Sequence, residues 1–310
     1  MLLTRQGWAD ALLELGETNP NVVVLDADLA KSTLTCLFKD KYPTRFFDMG
    51  IAEQNMINTA GGLSLTGLIP FVSTYGVFVS GRAWEQIRTS ICYGELNVKL
   101  GGAHGGISVG PDGATHQALE EIAIMRVLPK MTLLVPTDYY ETKKAVLAAA
   151  KINGPVYIRF GREKVPVVTS ADTPFEVGKA IIMKEGKDLT IVACGIMVAE
   201  ALDAAEELAK EGINAEVINL HTIKPIDKNA LVQSVKKTGC LVTAEEHQLA
   251  GGMGSAVLEV IAQEYPVPTE MVGIKDTFGE SGEPRQLMEK YGLTSKEILE
   301  KARQALKRKL

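Results

Sequence analysis

Short runs of apolar and β-branched residues alternate along the chain with longer stretches in which apolar residues recur at helical spacing. This alternation is typical of α/β proteins whose sheets are largely parallel. The first half predicts five strands, at 22–26, 69–73, 98–103, 132–135 and 156–160. Helices are predicted around and between them, at 5–15, 53–65, 80–92, 118–125 and 140–152. We therefore expect a first α/β domain with a mostly parallel sheet flanked by helices.

The alternation stops between residues 162 and 188, where the sequence becomes polar and contains two prolines. Such a composition is typical of a linker. The pattern then resumes, with short elements at 189–194, 215–220, 230–238 and 241–245, longer helices at 198–212 and 252–264, and a last helix at 294–310 that begins with a capping sequence. The sequence thus predicts two α/β domains, at 1–166 and 187–310, joined by a linker over 167–186.

Composition narrows the class of protein. The 310 residues are 46% hydrophobic and 23% charged, which is enough apolar material for large cores, and the net charge is −5. An acidic chain argues against a broad surface for nucleic acid or anionic membrane. No stretch approaches the roughly 20 apolar residues of a membrane span, and no secretory leader is visible. We expect a cytoplasmic protein, and the four cysteines, which stand singly, predict no zinc site.

Candidate chemistry begins with Glu53, which lies at the predicted start of a long, mostly apolar helix. Desolvation there raises the pKa of a carboxyl group, whereas the helix dipole lowers it, so the sequence leaves the direction open. A glutamate in a first turn often only complements the helix N-terminus. Glu53 therefore indicates a functional site only if other segments support it.

One such segment is a glycine-rich loop, residues 104–116, with the sequence His-Gly-Gly-Ile-Ser-Val-Gly-Pro-Asp-Gly-Ala-Thr-His. It carries two of the four histidines of the chain. Glycines permit close backbone approach, and His and Asp side chains can bind hydroxyl and phosphate groups or move protons. A second segment places Tyr75 and Phe78 at helical spacing, a pattern that taken alone indicates core packing.

Together these segments resemble the transketolase family over essentially the whole chain. Residues 50–56, Gly-Ile-Ala-Glu-Gln-Asn-Met, match the family pattern Gly-Ile-x-Glu-x-x-Met. The resemblance implies that Glu53 shares a proton with the aminopyrimidine ring of thiamine diphosphate, with Ile51 also in the cofactor site. It also implies that Tyr75 and Phe78 pack on that ring. Tyr75 stands where transketolases usually carry Phe, and Gly81 replaces a third aromatic residue.

The family form of the glycine-rich loop is His-Asp-Ser-Ile-Gly-x-Gly-Glu-Asp-Gly-Pro-Thr-His. The resemblance implies that His104 contacts the substrate phosphate or nearby hydroxyl groups and that His116 lies at the reacting carbonyl oxygen, so both join Glu53 as catalytic residues. Asp112 would bind the sugar hydroxyl that sets stereochemical preference. Pro111 and Ala114 depart from the family pattern, which leaves the loop shape and the substrate fit open.

Further positions align with family residues at the substrate and cofactor. Arg5, Ser32 and Arg162 match residues that hold the terminal phosphate of sugar substrates, a task for which the planar fork of arginine is suited. Asp28 falls where the family places an acid near the cofactor and the subunit interface. Each alone has a simpler interpretation, such as a solvated helix face for Arg5 or a strand-end cap for Asp28.

The Gly-Asp-Gly motif with which thiamine-diphosphate enzymes anchor Mg²⁺ or Ca²⁺ and the diphosphate does not occur in the sequence. The resemblance therefore implies that an N-terminal transketolase subunit holds the metal, that this chain supplies no metal ligand, and that the two assemble as an α2β2 heterotetramer. The sequence is identified as a member of the transketolase family, as the C-terminal subunit of a split enzyme.

The activity implied is transfer of a two-carbon ketol unit from a ketose phosphate to an aldose phosphate, as in the pentose phosphate pathway. A deoxyxylulose-phosphate synthase and a 2-oxo-acid dehydrogenase β subunit share the Gly-Ile-x-Glu segment and stay open as alternatives. A non-catalytic scaffold subunit is a third. A nicotinamide dehydrogenase is disfavoured because no Gly-x-Gly-x-x-Gly follows the first strand.

Overall fold

Two larger sheets and a two-stranded ribbon organise residues 1–309, the part of the chain that the computed structural model describes. The strands are Leu2–Leu3 (β1), Val22–Asp26 (β2), Phe46–Asp48 (β3), Ile69–Tyr75 (β4), Lys99–Ala103 (β5), Thr132–Leu134 (β6), Val156–Arg159 (β7), Lys164–Val165 (β8), Ile181–Lys184 (β9), Leu189–Ala193 (β10), Ala215–Asn219 (β11), Thr222–Lys224 (β12), Leu241–Gln248 (β13) and Thr269–Ile274 (β14).

The α-helices lie between these strands and at the end of the chain. They are Thr4–Thr18 (α1), Ala30–Thr33 (α2), Cys36–Lys41 (α3), Glu53–Leu65 (α4), Gly76–Arg82 (α5), Trp84–Gln86 (α6), Glu121–Arg126 (α7), Tyr139–Ala149 (α8), Met197–Lys210 (α9), Lys228–Thr238 (α10), Met253–Glu264 (α11), Pro284–Lys290 (α12) and Ser295–Arg308 (α13). Short 3₁₀ segments cover Pro43–Arg45 and Ile107–Asp112, and a π-helical turn covers Ile87–Cys92.

Both larger sheets are mostly parallel, as the sequence predicted. The first has the order β12-β6-β7-β5-β4-β2-β3, and every pair in it is parallel except β12 with β6. The second has the order β14-β13-β10-β11-β9, with only β9 antiparallel. The edge strand β12 follows β11 in the chain, so the second half contributes a strand to the first sheet.

The apolar strands of the first sheet are covered on both faces, which explains their nearly continuous hydrophobic sequences. In β2, Val22 and Val24 join the core that contains Trp8 of α1, whereas Val23 and Leu25 join the core that contains Met56 of α4. Each such buried aliphatic side chain contributes roughly 1.5–3 kcal/mol to the free energy of unfolding. The sheet therefore gives a rigid support for the loops that leave its strands.

Several predicted elements differ from the observed ones. The predicted helix 80–92 is interrupted at Ala83, where the backbone leaves helical geometry (φ −108°, ψ 15°), and the predicted helix 118–125 begins only at Glu121. Strand β9 lies within the predicted linker 167–186, and β3, β12, β14 and α12 were not predicted. Thr294 precedes the last helix with extended backbone, but its side chain makes no capping hydrogen bond.

A buried ionic cluster joins the two halves of the chain. Arg159, at the end of β7, is 5% exposed, and its guanidinium hydrogen-bonds the carboxylate of Glu121 in α7. Its Nη2 donates to the carbonyl of Glu246 in β13 at 2.7 Å, and its Nη1 lies 3.7 Å from Glu246 Oε2. Burial raises the pKa of Glu246, while Arg159 acts in the opposite direction.

The same glutamate holds the glycine-rich loop. Glu246 Oε1 accepts a hydrogen bond from the amide of Ser108 at 2.6 Å. Gly106 has φ +92°, and a Cβ added there would lie 2.1 Å from Glu246 Cδ, so a side chain at this position would collide with the carboxylate. The loop predicted to carry the chemistry is thus shaped by a residue of the second sheet.

Replacing Glu246 with Ala should lower the free energy of unfolding by about 3–5 kcal/mol, because Arg159 loses one of its buried partners and the Ser108 amide loses its acceptor. Urea unfolding measures the loss, and hydrogen exchange should accelerate at 106–110. Glu264→Ala, a partly exposed change on α11, is the control. A loss below about 1 kcal/mol with unchanged exchange would contradict this assignment.

Candidate active site

Loops that leave the carboxyl ends of β2, β3, β4 and β5 carry most of the predicted site residues. Because these strands are parallel neighbours, their ends meet at one edge of the sheet, where α/β proteins commonly bind ligands.

Glu53 is the first residue of α4, and its side chain is only 4% exposed. Gly50, with φ +65°, makes the turn between β3 and this helix. The Glu53 carboxylate accepts a hydrogen bond from Arg82 Nη1 at 2.9 Å, and the Arg82 side chain is 48% exposed. The buried carboxylate of Glu53 is therefore paired with an arginine whose side chain is about half exposed to solvent.

Four predicted residues form one aromatic cluster, which Arg82 links to this acid by lying over the Phe78 ring. The rings of Tyr75 and Phe78 stack at 5.6 Å with an interplanar angle of 19°. The ring of His104 also stacks on that of Tyr75, with the two centroids 4.0 Å apart. His116 contacts both aromatic rings edge-on, at 5.9 Å from Tyr75 and 5.3 Å from Phe78. The structure thus brings the two histidines and the two aromatic residues together.

His104 is held neutral by its surroundings. It follows β5 with φ +56°, is 1% exposed, and its Nδ1 has no hydrogen-bond partner within residues 1–309. Burial lowers the pKa of His104 to about 3, and the nearby charges of Arg5 and Arg162, with His116, act in the same direction. At neutral pH the ring can donate and accept one hydrogen bond each, but it carries no charge.

The four predicted substrate residues other than the histidines form two pairs. Arg162 Nη1 lies 3.0 Å from Asp112 Oδ1 and donates to the carbonyl of Val109 at 2.9 Å. Arg5 Nη1 donates to the carbonyl of Ser32 at 2.8 Å, so the two residues meet through the backbone of Ser32. The Arg5 Nε is buried without a partner within the described residues. Each arginine therefore retains N–H groups that a ligand can use.

Asp28 and Ile51 lie on two adjacent loops that share one acceptor. Asp48 Oδ1 accepts hydrogen bonds from the amide of Asp28 at 3.3 Å and from the amide of Gly50 at 3.1 Å. Asp28 has φ +62°, and Ile51 is 75% exposed. Asp48, which sequence reasoning missed, thus ties these loops together.

A second missed residue is Asp26, the buried last residue of β2. Its carboxylate accepts hydrogen bonds from the amide of Leu29 at 2.6 Å and from the hydroxyls of Thr33 and Thr35 at 3.0 and 2.8 Å. Burial raises the pKa of Asp26 to about 6, although these hydrogen bonds oppose the shift. The signal was present in the sequence, since a lone acid ends the apolar run Val-Val-Val-Leu-Asp.

Within residues 1–309, no group of three or more His, Cys, Asp or Glu side chains is arranged to hold a metal ion. Over the same residues, none of the helices combines the length and the apolar character that crossing a membrane requires.

The free energy of unfolding should fall as the pH drops below about 6.5, because unfolded His104 takes up a proton at its usual pKa while folded His104 resists protonation down to about 3. Between about pH 7.5 and pH 5, the contribution of His104 to the free energy of unfolding should fall by about 2 kcal/mol. Urea unfolding of the wild type and of His104→Asn at both pH values measures it.

His221, whose pKa burial lowers to about 4, is present in both proteins, so its contribution cancels in the comparison. Equal pH dependence of the two proteins would show that His104 does not resist protonation.

Similarity to known proteins indicates the family of this chain. The family model "Transketolase, pyrimidine binding domain" matches residues 1–168, and "Transketolase, C-terminal domain" matches residues 178–298. A Methanocaldococcus jannaschii protein described as a transketolase C-terminal section is 45% identical over 307 residues, covering 98% of this chain and 96% of its own. The 6-deoxy-6-sulfo-D-fructose transketolase subunit SqwH of Clostridium sp. is 44% identical, covering 98% and 95%.

A solved structure titled "Split gene transketolase, inactive beta4 tetramer" superimposes with a TM-score of 0.94 at 53% identity and covers all of both chains. The matched domains account for the two sheets, and the residues of the aromatic cluster lie in the pyrimidine-binding part. The chain therefore belongs to the transketolase family, as a chain built from its pyrimidine-binding and C-terminal domains.

Proposed function

We propose that this chain is the C-terminal subunit of a split transketolase that uses thiamine diphosphate to transfer a two-carbon ketol unit from a ketose phosphate to an aldose phosphate. The observation that carries the proposal is the buried carboxylate of Glu53, which Arg82 links to the ring of Phe78 in the aromatic cluster that also contains His104 and His116. The relatives described as transketolase subunits support the same reaction class.

The residues present fit the pyrimidine end of the cofactor. A flat, polar heterocycle needs an aromatic face to pack on and a carboxyl group to hydrogen-bond its ring nitrogen. Phe78 and Tyr75 offer the first, and Glu53 offers the second at a helix N-terminus. When bound, thiamine diphosphate supplies the electron sink that two-carbon transfer requires. Glu53 would hold the proton shared with the ring nitrogen, while Asp28 and Ile51, on loops joined by Asp48, would border the cofactor.

The substrate end is formed by groups of complementary charge and hydrogen-bonding capacity. Arg5 and Arg162, with Ser32, would bind the terminal anionic group of the sugar, and Asp112 a sugar hydroxyl. Neutral His104 has an unpartnered Nδ1 for a hydroxyl or phosphate oxygen, and His116 would hydrogen-bond the reacting carbonyl oxygen. The Clostridium relative is named after a sugar with a sulfo group, which supports recognition of a terminal anion.

We further propose that activity requires an N-terminal subunit. That subunit would hold Mg²⁺ or Ca²⁺ and the diphosphate, and the assembly would be a cytoplasmic α2β2 heterotetramer working in the pentose phosphate pathway. A related solved structure is titled an inactive β4 tetramer, which supports the need for a second chain. Residues 1–166 and 187–310 would be the two domains of this subunit.

Glu53→Gln should reduce two-carbon transfer by at least about 10²-fold, because the amide cannot share a proton with the ring nitrogen. The assay mixes this chain with its N-terminal partner, thiamine diphosphate, Mg²⁺ and sugar phosphates, and circular dichroism checks the fold. Glu85→Gln, an exposed change on α6, is the control. Full activity of Glu53→Gln would overturn the proposal, as would the absence of transfer by the wild-type assembly.

Arg162→Gln should raise KM for a phosphorylated acceptor aldose by roughly 10- to 100-fold, because a charged hydrogen bond to the phosphate is lost. The KM for the same aldose without phosphate should change far less. Steady-state kinetics with the matched pair of acceptors measures the difference, and Lys164→Gln, an exposed neighbour, is the control. An equal rise in KM for both acceptors would assign Arg162 to loop structure through Asp112 instead.

A further inference from the structure

Arg82 occupies an unusual position between two residues of the proposed cofactor site. Its guanidinium carbon lies 3.9 Å from the centroid of the Phe78 ring, and its Nη1 lies 2.9 Å from Glu53 Oε1. A flat, delocalised group therefore packs on Phe78 and donates a hydrogen bond to Glu53 at the same time. These are the two contacts that the proposed function assigns to the aminopyrimidine ring.

Glu53 also needs a partner in the absence of a ligand. Its carboxylate is almost completely buried, and leaving such a charge unpaired is costly. The cation of Arg82 removes that cost. The ion pair is not locked, however, because about half of the Arg82 side chain faces solvent.

The surroundings leave Arg82 room to move. Gly81, the exposed preceding residue, has no side chain, and a Cβ added there would meet no atom within 4 Å. Arg82 is the last residue of α5, and Ala83 after it has already left helical geometry. The side chain can therefore rotate off Phe78 into open space without disturbing the packed part of the helix.

We propose that Arg82 is a placeholder for the cofactor ring. In the chain without cofactor its guanidinium covers Phe78 and neutralises Glu53, and loading of thiamine diphosphate displaces it. This inference rests on the proposed function and adds a residue that controls cofactor loading. Since only the fraction of molecules with Arg82 displaced can bind, the apparent affinity for the cofactor is lowered by that fraction.

The test uses the complex of this chain with its N-terminal partner, stripped of cofactor. Thiamine diphosphate is titrated in the presence of Mg²⁺, and its Kd and association rate are followed by intrinsic fluorescence. Arg82→Ala should bind roughly three- to tenfold more tightly, and associate faster, because no cation competes for Phe78 and Glu53. Arg82→Lys should be intermediate, since an ammonium group pairs with Glu53 but covers the ring less well. Arg88→Ala, at another exposed arginine, should match the wild type.

Chemical complementation gives a second measurement. Millimolar guanidinium added to the Arg82→Ala complex should weaken cofactor binding toward the wild-type value, whereas the same concentration of sodium chloride should have a smaller effect. Weaker cofactor binding by Arg82→Ala would show that the guanidinium helps to hold the cofactor, and unchanged binding would show that its contact is incidental. Either result overturns the placeholder while the proposed function stands. A wild-type complex that binds no thiamine diphosphate would overturn both.

Discussion

The structure depends on one buried positive charge, that of Arg159, enclosed by carboxylates from two different parts of the chain. Removing an arginine from water is expensive, and only close partners with good geometry offset that cost. Glu121, in helix α7, supplies one carboxylate, and Glu246, in strand β13 of the second sheet, supplies the other. The arrangement is satisfied only when both halves are docked, so the cluster selects one relative placement of the two sheets.

That placement matters because Glu246 also binds the amide of Ser108. The loop between the two histidines is rich in glycine, and its shape depends on contacts outside it, both through the buried side chains of Ile107 and Val109 and through hydrogen bonds. A residue 138 positions later in the chain provides one of them. The second domain, whose sequence shows no obvious catalytic group, therefore contributes to the site by fixing the loop that does carry such groups. Apolar packing supplies most of the stability, and the ionic cluster fixes how the two sheets are placed relative to each other.

The fold class and the longer elements were predictable because they follow from local patterns. Strand β2 has its predicted bounds, 22–26, and the longer second-domain helices α9, α11 and α13 follow their helical periodicity, whereas the short helix α12 was not predicted. Strands β9 and β12 were not predictable in this way, since each is a short edge strand formed because a neighbour offers backbone hydrogen bonds. The break at Ala83 is likewise invisible in a pattern that reads as continuous helix.

The candidate site, like the fold, was only partly predictable from the sequence. The resemblance predicted which residues belong to it, and the structure brings Tyr75, Phe78, His104 and His116 together, while their roles stay predictions. The contacts of Glu246 with Ser108, of Asp48 with two loops, and of Arg82 with Phe78 could not be predicted, because they join residues whose separation in sequence carries no periodic signal. The contacts of such side chains depend on tertiary structure alone.

Strand β12 has a consequence for how the chain can be divided. It lies along β6 as the outermost strand of the first sheet, although it belongs to the second half of the polypeptide. Exposed strand edges are templates for pairing with other molecules. A fragment of residues 1–166 would leave the backbone groups of β6 open and would also expose core residues that now pack with Leu231 and Val257 of the second half, so it should tend to aggregate.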